Sequence, residues 1–260
     1  MASGSDDRTI KIWDKLDFSL ITTMTGHTST VQSLALLPNG YLASGSADST
    51  IKIWNTDTSS LLLSFTAHSG AAFALKVLEN GYLASGGQDN LVKTWNTDNG
   101  SLIQTFTGHT GWVRALTVLK NGNLVSGGAD FLTMIWDVST GSLIRTLGGH
   151  TQGVVALEVL QNGYLATGSR DFTIKIWNAD LGSLIRTLTG HTNQVWSLVE
   201  LKNGYLASGS KDFSVKIWNM DDGSLRATLT GHTGDIKALS VLQNGYLTSG
   251  SIDFTLRIWN

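Results

Sequence analysis

Six histidines, at positions 27, 68, 109, 150, 191 and 232, stand 41 residues apart, and serine or threonine and aspartate recur behind each in register. Serine, histidine and aspartate together can carry out nucleophilic acyl transfer, with the imidazole taking the hydroxyl proton and the carboxylate orienting the ring. The distribution speaks against that chemistry here. Every histidine is spent once, at an identical repeat position, as a structural bracket requires. A catalytic site needs one privileged copy, and no spare histidine remains to make it. There is no Gly-x-Ser-x-Gly elbow, no His-Glu-x-x-His pair and no glycine-rich loop ending in Gly-Lys-Ser/Thr. Acidic residues fall mostly one per turn, so no paired-carboxylate site can be singled out. The expectation is a protein that is not an enzyme and uses no metal or cofactor.

Composition bounds the remaining classes. A chain of 260 residues with 41% hydrophobic content can bury a sizeable core as a single domain spanning 1–260. Its formal net charge is −2, from 18 basic and 20 acidic residues, which offers no basic footprint for nucleic acid. The absence of cysteine excludes disulfides and thiolate metal sites. The polar start, Met1-Ala2-Ser3-Gly4-Ser5-Asp6-Asp7, does not read as a signal peptide, and no run of 18 apolar residues suggests a membrane span. The sequon Asn99-Gly100-Ser101 reads as a chance match in a turn. The expected setting is the cytoplasm or another intracellular compartment.

The elements that must position the histidines are short. Gly-His or Ala-His pairs recur at a 41-residue step from 26–27 to 231–232, and seven Trp-Asp/Asn pairs from Trp13-Asp14 to Trp259-Asn260 keep the same step. A fixed period of this length marks a repeat architecture. Within residues 27–66, four strands are expected: Val31 to Leu36, Tyr41 to Ser44, Thr50 to Trp54 and Leu61 to Phe65. Asn39-Gly40 between the first two reads as a two-residue type I′ turn, and the pair recurs at Asn80, Asn121, Asn162, Asn203 and Asn244. A partial repeat at 2–25 precedes full repeats at 26–66, 67–107, 108–148, 149–189 and 190–230, and a last repeat at 231–260 lacks its fourth strand.

With its Gly-His, Leu-Ala-Ser-Gly-Ser-x-Asp and Ile-Lys-Ile-Trp-Asn segments in six or seven copies, the chain resembles the WD-repeat β-propellers over essentially its whole length. The resemblance implies four-stranded sheets standing radially around a channel, each covered by its neighbours. It also implies one buried hydrogen-bonded tetrad per repeat. These would be His27, Ser44, Asp48 and Trp54; His68, Ser85, Asp89 and Trp95; and His109, Ser126, Asp130 and Trp136. The others would be His150, Thr167, Asp171 and Trp177; His191, Ser208, Asp212 and Trp218; and His232, Ser249, Asp253 and Trp259. The position of Ser44 is preferred to that of Ser46 because it always carries a hydroxyl, whereas Ser46 gives way to glycine at 87 and 128.

Specificity is expected where equivalent positions differ. The third and fifth residues after each histidine, and the residue before each turn aspartate, vary sharply, and by resemblance they face a funnel that contacts peptides. Among them Gln32, Phe73, Trp112, Arg114, Arg170, Gln194, Trp196, Lys211, Asp235 and Lys237 are the candidate partner-binding residues. Trp112 and Trp196 are the two tryptophans outside the Trp-Asp/Asn set. Aromatic anchors with arginine are enriched at binding hot spots, and cations beside aromatics suit an extended segment bearing a carboxylate or phosphate. After the turn aspartate, Phe131, Phe172, Phe213 and Phe254 form either an apolar patch or loop packing over the buried histidine, and their recurrence favours packing.

Closure leaves alternatives open. Seven sheets with an incomplete sheet at each end are preferred. A six-sheet ring would instead pair Leu20–Met24 with Thr255–Trp259. Either leaves an edge through which copies could associate. The function expected is a non-enzymatic protein- or peptide-binding scaffold, with an acidic or phosphorylated partner in view and no nucleic acid or membrane. The alternatives are a ligand-sensing module of a larger signalling ATPase and a glycan-binding propeller. The aperiodic variable positions argue against the glycan-binding propeller.

Overall fold

The computed structural model describes residues 1–14 and 17–260, and every helix or strand among them is a strand. The strands form seven antiparallel sheets. Each is a simple meander in which consecutive strands are neighbours. The first sheet has three strands, Ala2–Gly4, Ile10–Trp13 and Leu20–Met24. The second has four, Val31–Leu36, Leu42–Ser46, Thr50–Asn55 and Ser60–Thr66. That plan repeats in the third to sixth sheets, whose first strands are Ala72–Val77, Val113–Val118, Val154–Val159 and Val195–Glu200. The seventh sheet again has three strands, Ile236–Val241, Leu247–Ser251 and Leu256–Trp259. Leu20–Met24 pairs with Ile10–Trp13, with Ile10 opposite Met24, so the six-sheet pairing to Thr255–Trp259 does not form.

The chain divides into two compact units. The first comprises Met1–Val118, Gly122–Ser126 and Trp136–Ile144, and the second Leu119–Asn121, Gly127–Ile135 and Arg145–Asn260. In the first unit, Ile51, Ile53, Ala72, Leu75, Leu83 and Trp95 make one apolar core between the second and third sheets. In the second, Ile174, Ile176, Val195, Leu198 and Trp218 do the same between the fifth and sixth. The small residues of Leu42–Ser46, buried at every position, let neighbouring sheets approach closely. The limit shows at Gly86, where an added Cβ would lie 2.6 Å from Val113 Cγ1. Among the described residues, no helix is long and apolar enough to cross a membrane.

The Asn-Gly turns are not of type I′. That turn needs positive φ at both central residues, yet at 39–40 only Gly40 has it, at 85°. Gly40 N–H bonds to the Leu37 carbonyl and Leu37 N–H to the Tyr41 carbonyl, closing a three-residue loop over 38–40 with glycine at the left-handed position. Asn39 acts through its side chain, whose Oδ1 accepts the Tyr41 N–H at 3.1 Å.

Of the four phenylalanines, Phe254 differs from the expected packing. Phe131, Phe172, Phe213 and Phe254 have φ between 66° and 73°, a region bulky side chains rarely adopt. Phe131, Phe172 and Phe213 are 40–45% exposed, so each is more than half buried, whereas Phe254 is 99% exposed and packs on nothing.

Candidate functional site

The polar groups at the 41-residue step form a chain of hydrogen bonds inside each sheet. In the second sheet Trp54 Nε1–H donates to Ser44 Oγ at 2.8 Å, Ser44 Oγ lies 2.7 Å from His27 Nε2, and His27 Nδ1 lies 2.8 Å from Asp48 Oδ2. A carboxylate only accepts, so the imidazole proton sits on Nδ1 and Nε2 accepts the hydrogen bond of the serine hydroxyl. The same links join Trp95, Ser85, His68 and Asp89. They recur at Trp177, Thr167, His150 and Asp171, at Trp218, Ser208, His191 and Asp212, and at Trp259, Ser249, His232 and Asp253. In the fourth sheet Ser126 Oγ binds Trp136 Nε1 and His109 Nε2. The first sheet keeps the Trp13-to-Ser3 bond, and Asp7 there takes the Thr9 N–H and hydroxyl.

These groups are tuned to stay as they are. Burial holds His27 and His68 below the ordinary histidine value, against the pull of Asp48 and Asp89. Burial alone would raise Asp48. The Thr50 hydroxyl, the N–H groups of Thr28 and Thr50 and the His27 ring donate to it, and together they hold its carboxyl below the usual carboxylate range. Ser44, the would-be nucleophile, is fully buried and already bonded to both tryptophan and histidine. Ser46 has a separate job, donating to the Ser29 carbonyl and accepting the Asp48 N–H.

The variable residues lie at the end of each sheet where this bracket sits, and two backbone devices bring them together. The first is a β-bulge. In the second sheet Val31 pairs with Ser46 and Ser33 with Gly45, leaving Gln32 without a partner and turned out of the ladder. The same slip isolates Phe73, Val155, Trp196 and Lys237. Bulges re-aim side chains in this way beside functional sites. The second device is a bond from the residue before the turn aspartate to the third residue after histidine. Arg170 N–H donates to the Gly153 carbonyl, Lys211 N–H to Gln194 and Ile252 N–H to Asp235. Ala47 with Thr30 and Gln88 with Ala71 repeat it in the first unit.

In the first unit the Phe73 and Trp112 rings lie 5.7 Å apart, and Arg114 Cζ stands 3.8 Å from the Phe73 centroid and 4.8 Å from that of Trp112. Gln32 is exposed on its own bulge. In the second unit Trp196 is the platform. Lys237 Nζ lies 3.5 Å from its ring centroid and Arg170 Cζ 5.3 Å from it. Asp235 is buried and ion-paired to Lys237 at 3.2 Å, so it orients that lysine. Gln194 takes part through its backbone carbonyl, which accepts the Lys211 backbone N–H, and the Lys211 side chain is exposed. Sequence reasoning missed the bulges, which leave no compositional mark, and the stacking of each cation on a ring from another repeat. No group of three or more histidine, aspartate or glutamate residues among the described residues is placed to hold a metal.

The family model described as WD domain, G-beta repeat matches residues 1–14, 18–55, 59–96, 100–137, 141–178, 182–219 and 223–260. The chain belongs to the WD-repeat family. Its seven antiparallel sheets are those of a β-propeller, a fold whose usual role is to carry protein interactions without catalysis. Among curated proteins, the nuclear distribution protein PAC1 of Mycosarcoma maydis is 48% identical over 40 residues. That match takes in 15% of this chain and 9% of the relative.

Proposed function

We propose that this WD-repeat chain is a non-enzymatic scaffold that binds a protein or peptide at the bulged ends of its sheets, with Phe73, Trp112 and Arg114 as one anchor group and Arg170, Trp196 and Lys237 as another, each within its own unit. The observation that carries this is the β-bulge. In five sheets it takes out of the ladder a first-strand residue that differs from repeat to repeat, Val155 alone among them buried, while the hydrogen-bonded bracket beneath stays constant. A device repeated for structure alone would present the same side chain each time. Here it presents glutamine, phenylalanine, valine, tryptophan and lysine. Half-exposed aromatics stacked with cations are the groups that anchor a partner. Catalysis by the serine–histidine–aspartate sets is disfavoured because each hydroxyl is sealed in the sheet and accepts an indole N–H.

The test is selection of a random displayed peptide library on the folded chain, followed by calorimetry with the enriched peptides. Trp112→Ala with Arg114→Ala, or Trp196→Ala, should weaken binding at least tenfold while leaving the melting temperature within a few degrees. Unchanged affinity in both folded variants would sink the assignment.

A further inference from the structure

The second unit gathers more positive charge at one spot than the composition of the chain requires. Arg170 and Lys237 both stand over the Trp196 ring. Lys211 precedes the next turn aspartate; its backbone N–H bonds the Gln194 carbonyl, two residues before Trp196, and its exposed ammonium is near enough to act on the charge of Lys237. One carboxylate, Asp235, is paired within the cluster, while the turn carboxylates Asp171 and Asp212, next in sequence to Arg170 and Lys211, accept from the His150 and His191 rings. Two further donors, Arg170 Nε–H and Trp196 Nε1–H, are shielded from solvent and have no hydrogen-bond acceptor among the described residues.

We infer that this cluster is a receptor for a phosphate monoester on a protein segment, with Arg170, Lys211 and Lys237 taking the dianion at the edge of the Trp196 ring. The inference rests on the peptide-binding reading and names its partner chemistry. A phosphate monoester offers three oxygens to these donors, one more than a carboxylate. Guanidinium and ammonium groups together supply the charge-assisted donors that three phosphate oxygens accept. Lys237 is consistent with such a role. Burial depresses its pKa, the Asp235 partner only partly opposes this, and Lys211 and Arg170 push it down further. An arriving dianion would relieve that repulsion. A nucleic-acid phosphate fits less well, because the charge is confined to one spot on a chain of net charge −2.

The experiment follows the Trp196 indole resonance of the 15N-labelled full chain, assigned through Trp196→Phe. The probes are N-acetylphosphothreonine amide, N-acetylthreonine amide, N-acetylglutamic acid amide and inorganic phosphate. The expected result is a saturable shift with the phosphothreonine probe, at least tenfold tighter than with the glutamate probe and tighter than with inorganic phosphate. Lys237→Gln and Arg170→Gln should each weaken it at least fivefold, and Arg226→Gln, exposed on the fourth strand of the sixth sheet, should leave it unchanged. Equal affinity for inorganic phosphate would overturn the protein-segment assignment, and equal affinity for glutamate would overturn the dianion. If displayed peptides need Trp196 while the phosphothreonine probe gives no shift, the phosphate inference falls and the peptide-binding reading stands. A chain that selects no peptide and shows no shift defeats both.

Discussion

His68 shows how one residue can be fixed by its surroundings in both position and charge. Its ring is buried, bonded on one side to Ser85 and on the other to Asp89, and burial holds its pKa below the ordinary 6.5. His27 behaves alike. The unfolded chain therefore takes up protons at these two sites at a higher pH than the folded one, so stability rises with pH through that window. It is fully present above about pH 6.5 and is lost as pH falls toward the lower folded values. The depressed carboxyls of Asp48 and Asp89 act in the same direction further down, holding their contribution above the ordinary 3.8 and losing it below. The expected outcome is a urea midpoint that drops steadily between pH 7.5 and 4.5. His68→Asn, which cannot titrate, should be less stable at pH 7.5 and show a shallower drop. A midpoint independent of pH over that range would contradict the assignment of the neutral ring.

Among the elements, the turn between the second and third strands carries a conflict that magnitudes can resolve. Its last residue sits at positive φ, where serine and asparagine serve at 49 and 90 but phenylalanine stands at 131, 172, 213 and 254. The left-handed region costs an ordinary residue roughly 1–2 kcal/mol, and asparagine less. Fully burying a phenylalanine ring returns about 1.5–3 kcal/mol, so a ring little more than half buried returns about as much as the strain removes. Phe213→Asn should therefore be close to neutral. Phe254, with 99% of its surface exposed, gains nothing from burial. Phe254→Asn should raise stability by about 1 kcal/mol in urea denaturation, and a loss instead would mean that this ring is packed in solution. That these segments are strands joined by tight turns was legible from apolar runs of four to six residues between asparagine and glycine. The turn type was not, because counting residues between strands does not say whether Pro38 belongs to the loop. The aim of Trp196 and Lys237 was not legible either. A bulge is a slip in pairing, and it is seen only when both strands are in place.

At the scale of the whole molecule, a repeat chain is held by contacts between neighbouring sheets, so the stability of any one sheet depends on how many of its faces are covered. The equivalent position in the third strand makes the comparison. Ile176 in the fifth sheet is 2% exposed, with sheet packing over it, whereas Ile258 in the seventh is 45% exposed. The sequence around the two is nearly identical, Ile174-Lys175-Ile176-Trp177 against Leu256-Arg257-Ile258-Trp259, so local propensity cannot separate them. Packing can. Truncating a buried isoleucine to alanine costs about 2–5 kcal/mol through lost transfer energy and the cavity left behind, and a half-exposed side chain leaves little cavity and forfeits about half the transfer term. Ile176→Ala should thus lower the urea midpoint severalfold more than Ile258→Ala. Amide hydrogens of Leu256–Trp259 should exchange ahead of those of Ile174–Asn178, since local opening is easiest where apolar contacts are fewest. Equal losses for the two substitutions would show that the exposed face of the seventh sheet is covered in solution, and dilution would then tell whether a second copy covers it.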